Sequence, residues 1–253
     1  MKHFFKKTWL VWIIVLTGCA TAGLQSFDTE ELFGKSLLVE RRADFNTDEA
    51  AWFREEVKPV LDQRCVVCHA CNDAPCQLKL TSAEGIMRGA NPQKVYHGTR
   101  LTAAEPTRLG IDADSTAEWR QMGFHPVLNE RTQSPEVNLA NSMIYQMLAL
   151  KKNAPAPEDA LLSDDYNLAL NRSQSCPTRE EFNEYAEEHP KWGMPYGLPE
   201  ISDSEYNTLV QWLRAGSPMS QPEPLSAETK STIKAWEDYL NDDSLKQQLA
   251  SRY

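Results

Sequence analysis

Cys65-Val66-Val67-Cys68-His69 is the stretch of this chain whose residue types and spacing specify chemistry most directly. Two thiols three positions apart, followed at once by an imidazole, form the attachment motif of c-type haem. The thiols add to the porphyrin vinyl groups and the histidine binds the iron. Other uses of the pattern need surroundings that are missing. A thioredoxin-like C-x-x-C needs a βαβ setting, and a structural zinc site needs two more ligands at knuckle spacing. The expectation is one covalent haem c on Cys65 and Cys68, with His69 as an axial ligand. The second axial ligand is expected at Met194, within the turn-rich run Gly193-Met194-Pro195-Tyr196-Gly197, because thioether ligation is a standard haem arrangement. His97 and His125 are rival ligands, and a gap-filling core methionine is the other reading of Met194.

The elements that must position these groups lie on either side of them. Asn46-Thr47-Asp48-Glu49 offers a capping-box helix start. Phe53, Val57, Val60 and Leu61 then recur as an amphipathic stripe that leads into the cysteine motif. Pro59 lies inside the stripe, which predicts a kink or a break. After Met194, Ser202-Asp203-Ser204-Glu205 is a second capping box, with Ile201 and Tyr206 as its hydrophobic staple. Tyr206, Leu209, Val210 and Leu213 form the buried stripe, and Gly216 and Pro218 stop the helix. A Met-Pro turn followed by a helix ending Trp212-Leu213-Arg214-Ala215-Gly216 resembles the C-terminal half of small cytochrome c domains, where the last helix crosses the first. The expected fold is mainly α: a cytochrome c-like haem domain over 46–219, split by a long insertion at 70–193, followed by the beginning of a further helical region at 220–253.

Within the insertion, 77–81 alternates polar and apolar residues like a short strand. Ser82 with Glu84 opens a short helix closed by Gly89. A long helix is predicted over 135–152, with Val137, Ile144, Met147 and Leu148 among its apolar positions. A loop follows at 153–158, and 179–188 reads as an acidic, exposed helix. Three further cysteines remain, Cys71, Cys76 and Cys176. An oxidising compartment implies one disulfide and one cysteine left over. Cys71–Cys76 is the shortest closure, while Cys76–Cys176 or Cys71–Cys176 would tie the insertion to the haem loop. Spacing does not rank these.

The start of the chain supplies the compartment. Lys2, Lys6 and Lys7 precede the apolar run 9–16, which is shorter than the roughly 20 residues a spanning helix needs but has the length of a signal-peptide core. Leu16-Thr17-Gly18-Cys19 resembles the lipobox of bacterial lipoproteins, which implies lipidation of Cys19 after removal of 1–18. Ala20 follows where an Asp would favour the inner membrane, so the resemblance implies the outer one. Residues 19–45 read as a tether, and the protein is expected to be periplasmic and membrane-anchored. With 36 acidic against 26 basic residues the formal net charge is −10, and removing Lys2, Lys6 and Lys7 takes it to −13. Such a balance disfavours nucleic acid and bare anionic membranes as partners. Neither G-x-G-x-x-G nor G-x-x-x-x-G-K-[ST] occurs, so nucleotide chemistry is not expected.

The cysteine-rich run 64–80 resembles the haem segment of the bacterial fatty acid cis/trans isomerases. The runs 94–101, 104–109, 115–120, 123–130 and 236–241 extend that resemblance from about residue 45 to the end of the chain. It implies a periplasmic, haem c-bearing isomerase that turns cis double bonds in the acyl chains of membrane phospholipids to trans. The route it implies has ferric iron borrow an electron from the double bond and return it after rotation, with no net redox change. Arg100, Glu105 and Arg108 lie in matching segments and would be able to meet a lipid headgroup. The alternative function is an electron-transfer cytochrome with no substrate, which the haem motif alone would serve. Thr232, Ile233, Trp236 and Leu240 mark one late helix, and Leu245, Leu249 and Tyr253 another. Family members are longer, so the expectation is a shortened chain that holds haem and isomerises poorly.

Overall fold

Helices carry most of the regular structure of the computed structural model, which describes residues 30, 33–70, 74–97, 100–101, 105–157, 161–164, 166–169 and 174–250. The export signal, Cys19 and Cys71 lie outside the described residues. Two short strands, β1 (Arg42–Ala43) and β4 (Met219–Ser220), pair in parallel with Arg42 opposite Met219. The stretch read as a tether is anchored here. Arg41 is buried and its guanidinium donates to the carbonyls of Gly216 and Asn129, and the Leu37 N–H donates to the Glu130 carbonyl at 2.8 Å. A second pair, β2 (Tyr96–His97) and β3 (Arg100–Leu101), forms an antiparallel hairpin.

The run into the cysteine motif is α1 (Asp48–Trp52), a π-helical turn (Phe53–Val57) and α2 (Lys58–Arg64). The cap falls one residue later than Asn46: the Thr47 hydroxyl accepts from the Ala50 N–H. Pro59 does not break the helix. It has no N–H to give and its ring crowds the carbonyl four residues back. The wider turn before it, in which the Lys58 N–H reaches the Phe53 carbonyl, lets the chain continue. Phe53, Val57, Val60 and Leu61 are all buried, as their spacing requires.

The predicted strand at 77–81 is absent. Pro75–Gln77 is a 3-10 turn in which Cys76 and Gln77 take positive φ. Gln77 is buried with both ends of its amide engaged, donating to the Gln93 carbonyl and accepting from the Thr107 hydroxyl. No strand pairs with this stretch among the described residues. Helix α3 (Ala83–Arg88) begins on the Ser82 cap and ends at Gly89, as predicted. Helix α4 (Thr116–Gln121) opens on a full capping box of Ser115 and Glu118.

The single helix predicted over 135–152 is two, α5 (Pro135–Ala140) and α6 (Met143–Asn153). Ser142 divides them. Fully buried, it caps α6 through the Tyr145 N–H and donates its hydroxyl to the Val127 carbonyl at 3.3 Å, while the Ile144 N–H meets the same carbonyl. Helix α7 (Phe182–Glu188) starts later than residue 179. It is acidic outside but buries Phe182 and Tyr185, so it is not an exposed helix throughout. Helix α8 (Asp203–Arg214) has the predicted capping box and buries Leu209, Trp212 and Leu213, with Val210 half-buried. Its Trp212 ring lies 6.0 Å from that of Phe53, which joins α8 to the π-helical turn. Helices α9 (Ala227–Leu240) and α10 (Asp243–Ala250) complete the order, and α9 buries none of its residues. No helix among the described residues is long and apolar enough to cross a membrane.

Candidate functional site

The elements that converge between α2, α6 and α8 enclose an open pocket of about 390 Å³ with a chiefly apolar lining. The end of α2 supplies the cysteine motif. Its backbone turns back on itself there, with the Cys65 N–H on the Leu61 carbonyl and the N–H groups of Cys68 and His69 on the Cys65 carbonyl. Cys65, Cys68 and His69 all face the pocket. Cys65 is half-buried and Cys68 exposed. His69 is 8% exposed, and its Nδ1 stands 3.3 Å from the Leu78 carbonyl oxygen. A carbonyl only accepts, so this contact fixes the hydrogen on Nδ1 and leaves the ring's lone pair on Nε2. The Leu80 N–H closes the loop by donating to the His69 carbonyl at 2.8 Å.

The surroundings of Cys65 differ from those of a redox-active thiol. Burial pushes the Cys65 thiol up to about 11, with Cys68 and Glu205 adding to the effect. The attacking thiol of a C-x-x-C oxidoreductase is held low instead. Among the described residues no group of three or more His, Cys, Asp or Glu side chains is arranged to hold a metal ion.

Met194 lines the same pocket. Its N–H donates to the Met147 carbonyl of α6 at 3.0 Å. Gly193 makes that approach possible, because a Cβ there would stand 2.2 Å from the Lys151 backbone nitrogen. His125, the rival ligand, also lines the pocket. It pairs through its backbone with Ala90. Burial lowers its pKa, with Arg120 acting the same way against Glu181, Glu180 and the Pro177 carbonyl. His97 belongs to β2, whose side chains fall outside the description, as does the side chain of Arg100. Glu105 and Arg108 are not on the pocket wall. Arg108 is engaged by Asp112 at 2.8 Å, and this pairing holds the Asp112 carboxyl down at about 2.

The disulfide is Cys76–Cys176, with Cα atoms 5.7 Å apart and a sequence separation of 100. It ties the loop after His69 to the loop before α7, and both sulfur-bearing residues lie on the pocket wall. The Gln174 amide reinforces it, accepting from the Cys76 N–H at 3.3 Å and donating to the Pro92 carbonyl at 3.2 Å. Tyr185 and Trp192 form a wall that sequence reasoning missed, the Tyr185 hydroxyl donating to the Trp192 carbonyl at 3.0 Å. The signal was the i, i+3 pair Phe182 and Tyr185, masked by five glutamates between 180 and 188.

The structure thus gathers two thiols, an imidazole, a thioether and a second imidazole around an apolar pocket. Against known families, the fatty acid cis/trans isomerase family matches residues 104–253, more than half of the chain. The chain belongs to the fatty acid cis/trans isomerase family, which acts on fatty acyl chains. The matched span takes in His125, Cys176 and Met194 and begins after Cys65–His69, so the haem motif is an independent observation. No curated protein and no solved structure matches the chain.

Proposed function

We propose that this chain is an exported c-type haem protein that converts cis double bonds in the acyl chains of membrane phospholipids to trans. One observation carries the reading: Cys65, Cys68, His69 and Met194 line a single apolar pocket in a chain of the isomerase family. The residues fit the group. Cys65 and Cys68 would hold the porphyrin covalently, His69 would offer Nε2 to the iron while Leu78 holds Nδ1, and Met194 would offer its thioether. A haem bound there supplies an iron able to borrow and return one electron, which weakens a π bond long enough for rotation.

The chain's own residues serve that chemistry by excluding water and by leaving charge out of the pocket. Leu80, Val127, Ile144 and Leu209 make the wall an environment for an acyl chain. Arg64, the basic residue on the rim, is already engaged by Glu205 at 2.8 Å. Cys19, lipidated, would hold the protein at the outer membrane, since a net charge of −13 after processing is repelled by anionic headgroups.

The test uses the full chain expressed with export and haem maturation. Its denatured mass should exceed that of the polypeptide by one haem, and cis-unsaturated phospholipid incubated with it should yield trans acyl chains by gas chromatography. Cys65→Ala with Cys68→Ala should abolish both. A haem-loaded protein that makes no trans product but exchanges electrons with a soluble partner would instead make it an electron-transfer cytochrome. Cys19→Ala should release the protein into the soluble periplasm.

A further inference from the structure

A buried cation beside this pocket has no part in the function proposed so far. Lys151, in the last turn of α6, is 2% exposed, and its Nζ has no acceptor within hydrogen-bond distance among the described residues. A buried ammonium without a partner is among the costliest features a fold can retain. Its neighbour Lys152 shows the ordinary solution, lying at the surface on Asp203 at 2.8 Å. Lys151 lines a chamber of about 10 Å³ together with Lys152, Glu200 and Tyr206. Burial disfavours the charged form of Lys151 and Glu200 favours it through space, without coming within hydrogen-bond reach of Nζ.

Leu148, Met194 and Ile201 line both this chamber and the large pocket, so the two adjoin across them. The room in the chamber is that of about one oxygen atom or one water molecule. A phosphate, with its oxygens spread around phosphorus, does not fit, whereas one oxygen of a carboxylate does. The body of such a ligand must be apolar to lie in the larger pocket.

We propose that Lys151 is the carboxylate-binding residue of this pocket, receiving one oxygen of a carboxylate carried by the pocket's apolar occupant. Two occupants bear that chemistry: a propionate of haem, in which case the inference rests on the haem reading, and a free fatty acid, in which case it does not. Either converts an orphaned ammonium into a charge-assisted hydrogen bond.

The experiment compares the full haem-loaded chain with Lys151→Met, Lys151→Gln and Glu200→Gln, checking haem mass and thermal melting in each. In the first arm oleate and methyl oleate are titrated at neutral pH. A fatty-acid site gives oleate an advantage of about tenfold or more over the ester in the wild type, lost in both Lys151 variants. In the second arm the reduction potential is followed as pH falls. A propionate site makes the rise on acidification begin at higher pH in the Lys151 variants, because the cation no longer favours the ionised propionate. If the mass shows no haem, the haem reading fails and the oleate arm alone decides the role of Lys151. No change in either arm, or the same changes in Glu200→Gln, would overturn the proposal, leaving a lone water or Glu200 as the partner.

Discussion

Helices α8 and α9 are built alike and end in opposite surroundings. Each begins on a serine whose hydroxyl accepts from the N–H three residues on, and each carries an apolar face at helical spacing. Yet α8 has Leu209, Trp212 and Leu213 essentially inaccessible, while α9 leaves Ile233, Trp236, Tyr239 and Leu240 between 41% and 61% exposed. The difference lies outside the helices. Phe53 and the core around it meet α8, and no core residue among those described meets α9. Amphipathic spacing specifies a face; the rest of the fold decides whether the face is used.

The largest effect separating the two helices should come from the same change made in both. Trp212→Ala removes a fully buried indole whose Nε1 donates to the Pro218 carbonyl at 2.8 Å. It should cost about 3–5 kcal/mol, read as a fall in the urea midpoint with little change in slope. A cost under about 1 kcal/mol would mean that α8 is held by something other than its packed face.

Segment 174–177 is attached in a third way, by a covalent bond. Replacing Cys76 and Cys176 by alanine should cost about 2–5 kcal/mol, because the closed loop is long at a separation of 100 residues. The pocket should suffer beyond the loss of stability, since Gln174, Ser175 and Pro177 line it. The check is limited proteolysis together with haem content: cleavage near 174–177 should rise ahead of global unfolding. Unchanged proteolysis would show that Gln174 and its hydrogen bonds hold the loop without the sulfurs.

Gly193→Ala tests how closely the Met194 turn must approach α6. A Cβ would meet Lys151 backbone atoms at 2.2 and 2.5 Å, and backbone cannot yield as a side chain does. The cost should be about 1–3 kcal/mol, with loss of any thioether-to-iron absorption band if Met194 is a ligand. A variant with wild-type stability and spectrum would show that the turn has slack.

The caps offer a smaller contrast, visible in pH. The Glu205 carboxyl is held below the usual carboxylate range by Arg64 first, then by the backbone and hydroxyl of Ser202, against burial. A group lowered on folding adds stability that is present above its unfolded value, near 4.5, and is lost as pH falls through its folded value. Helix α8 should therefore lose on the order of 1 kcal/mol or less in acid, since Arg64 is half in solvent. In α9 the third position is Thr229, which shares its hydroxyl with Ser226 at 2.9 Å and does not titrate there. Glu205→Gln should flatten the acid dependence of the urea midpoint; an unchanged profile would assign it to other carboxylates.

Legibility in the sequence followed the range of the interaction. The cap at Ser82, the capping box at Ser202, the stripe through Phe53 and Leu61 and the stop at Gly89 are settled within a few residues and read correctly. Ser115 and Glu118 carried the same capping-box signal and passed unread as a helix start. The break at Ser142 depends on Val127, and the fate of 77–81 on Gln93, Thr107 and Cys176, partners far along the chain. Choosing Cys76–Cys176 over the shorter closure required knowing which loops share a wall. At the site, Cys65, Cys68, His69 and Met194 were visible as types and spacings. Lys151 and Tyr185 were not, because nothing local distinguishes a buried lysine or tyrosine from an exposed one.

The smallest effect should be that of Trp236→Ala in α9. Trp236 is 61% exposed, and its one ring neighbour among the described residues, Tyr239, is also largely exposed at a centroid distance of 6.3 Å. Removing the indole forfeits that edge contact and a little helix-surface packing but opens no cavity. Alanine's better helix propensity offsets part of the loss. The net change in stability should fall within about 0.5 kcal/mol, against several for the same substitution at Trp212. Both variants are to be measured by urea unfolding in one buffer, and the two midpoints compared directly. A loss above about 1 kcal/mol at Trp236 would show that α9 uses its apolar face within this chain, and the contrast between the two helices would fall with it.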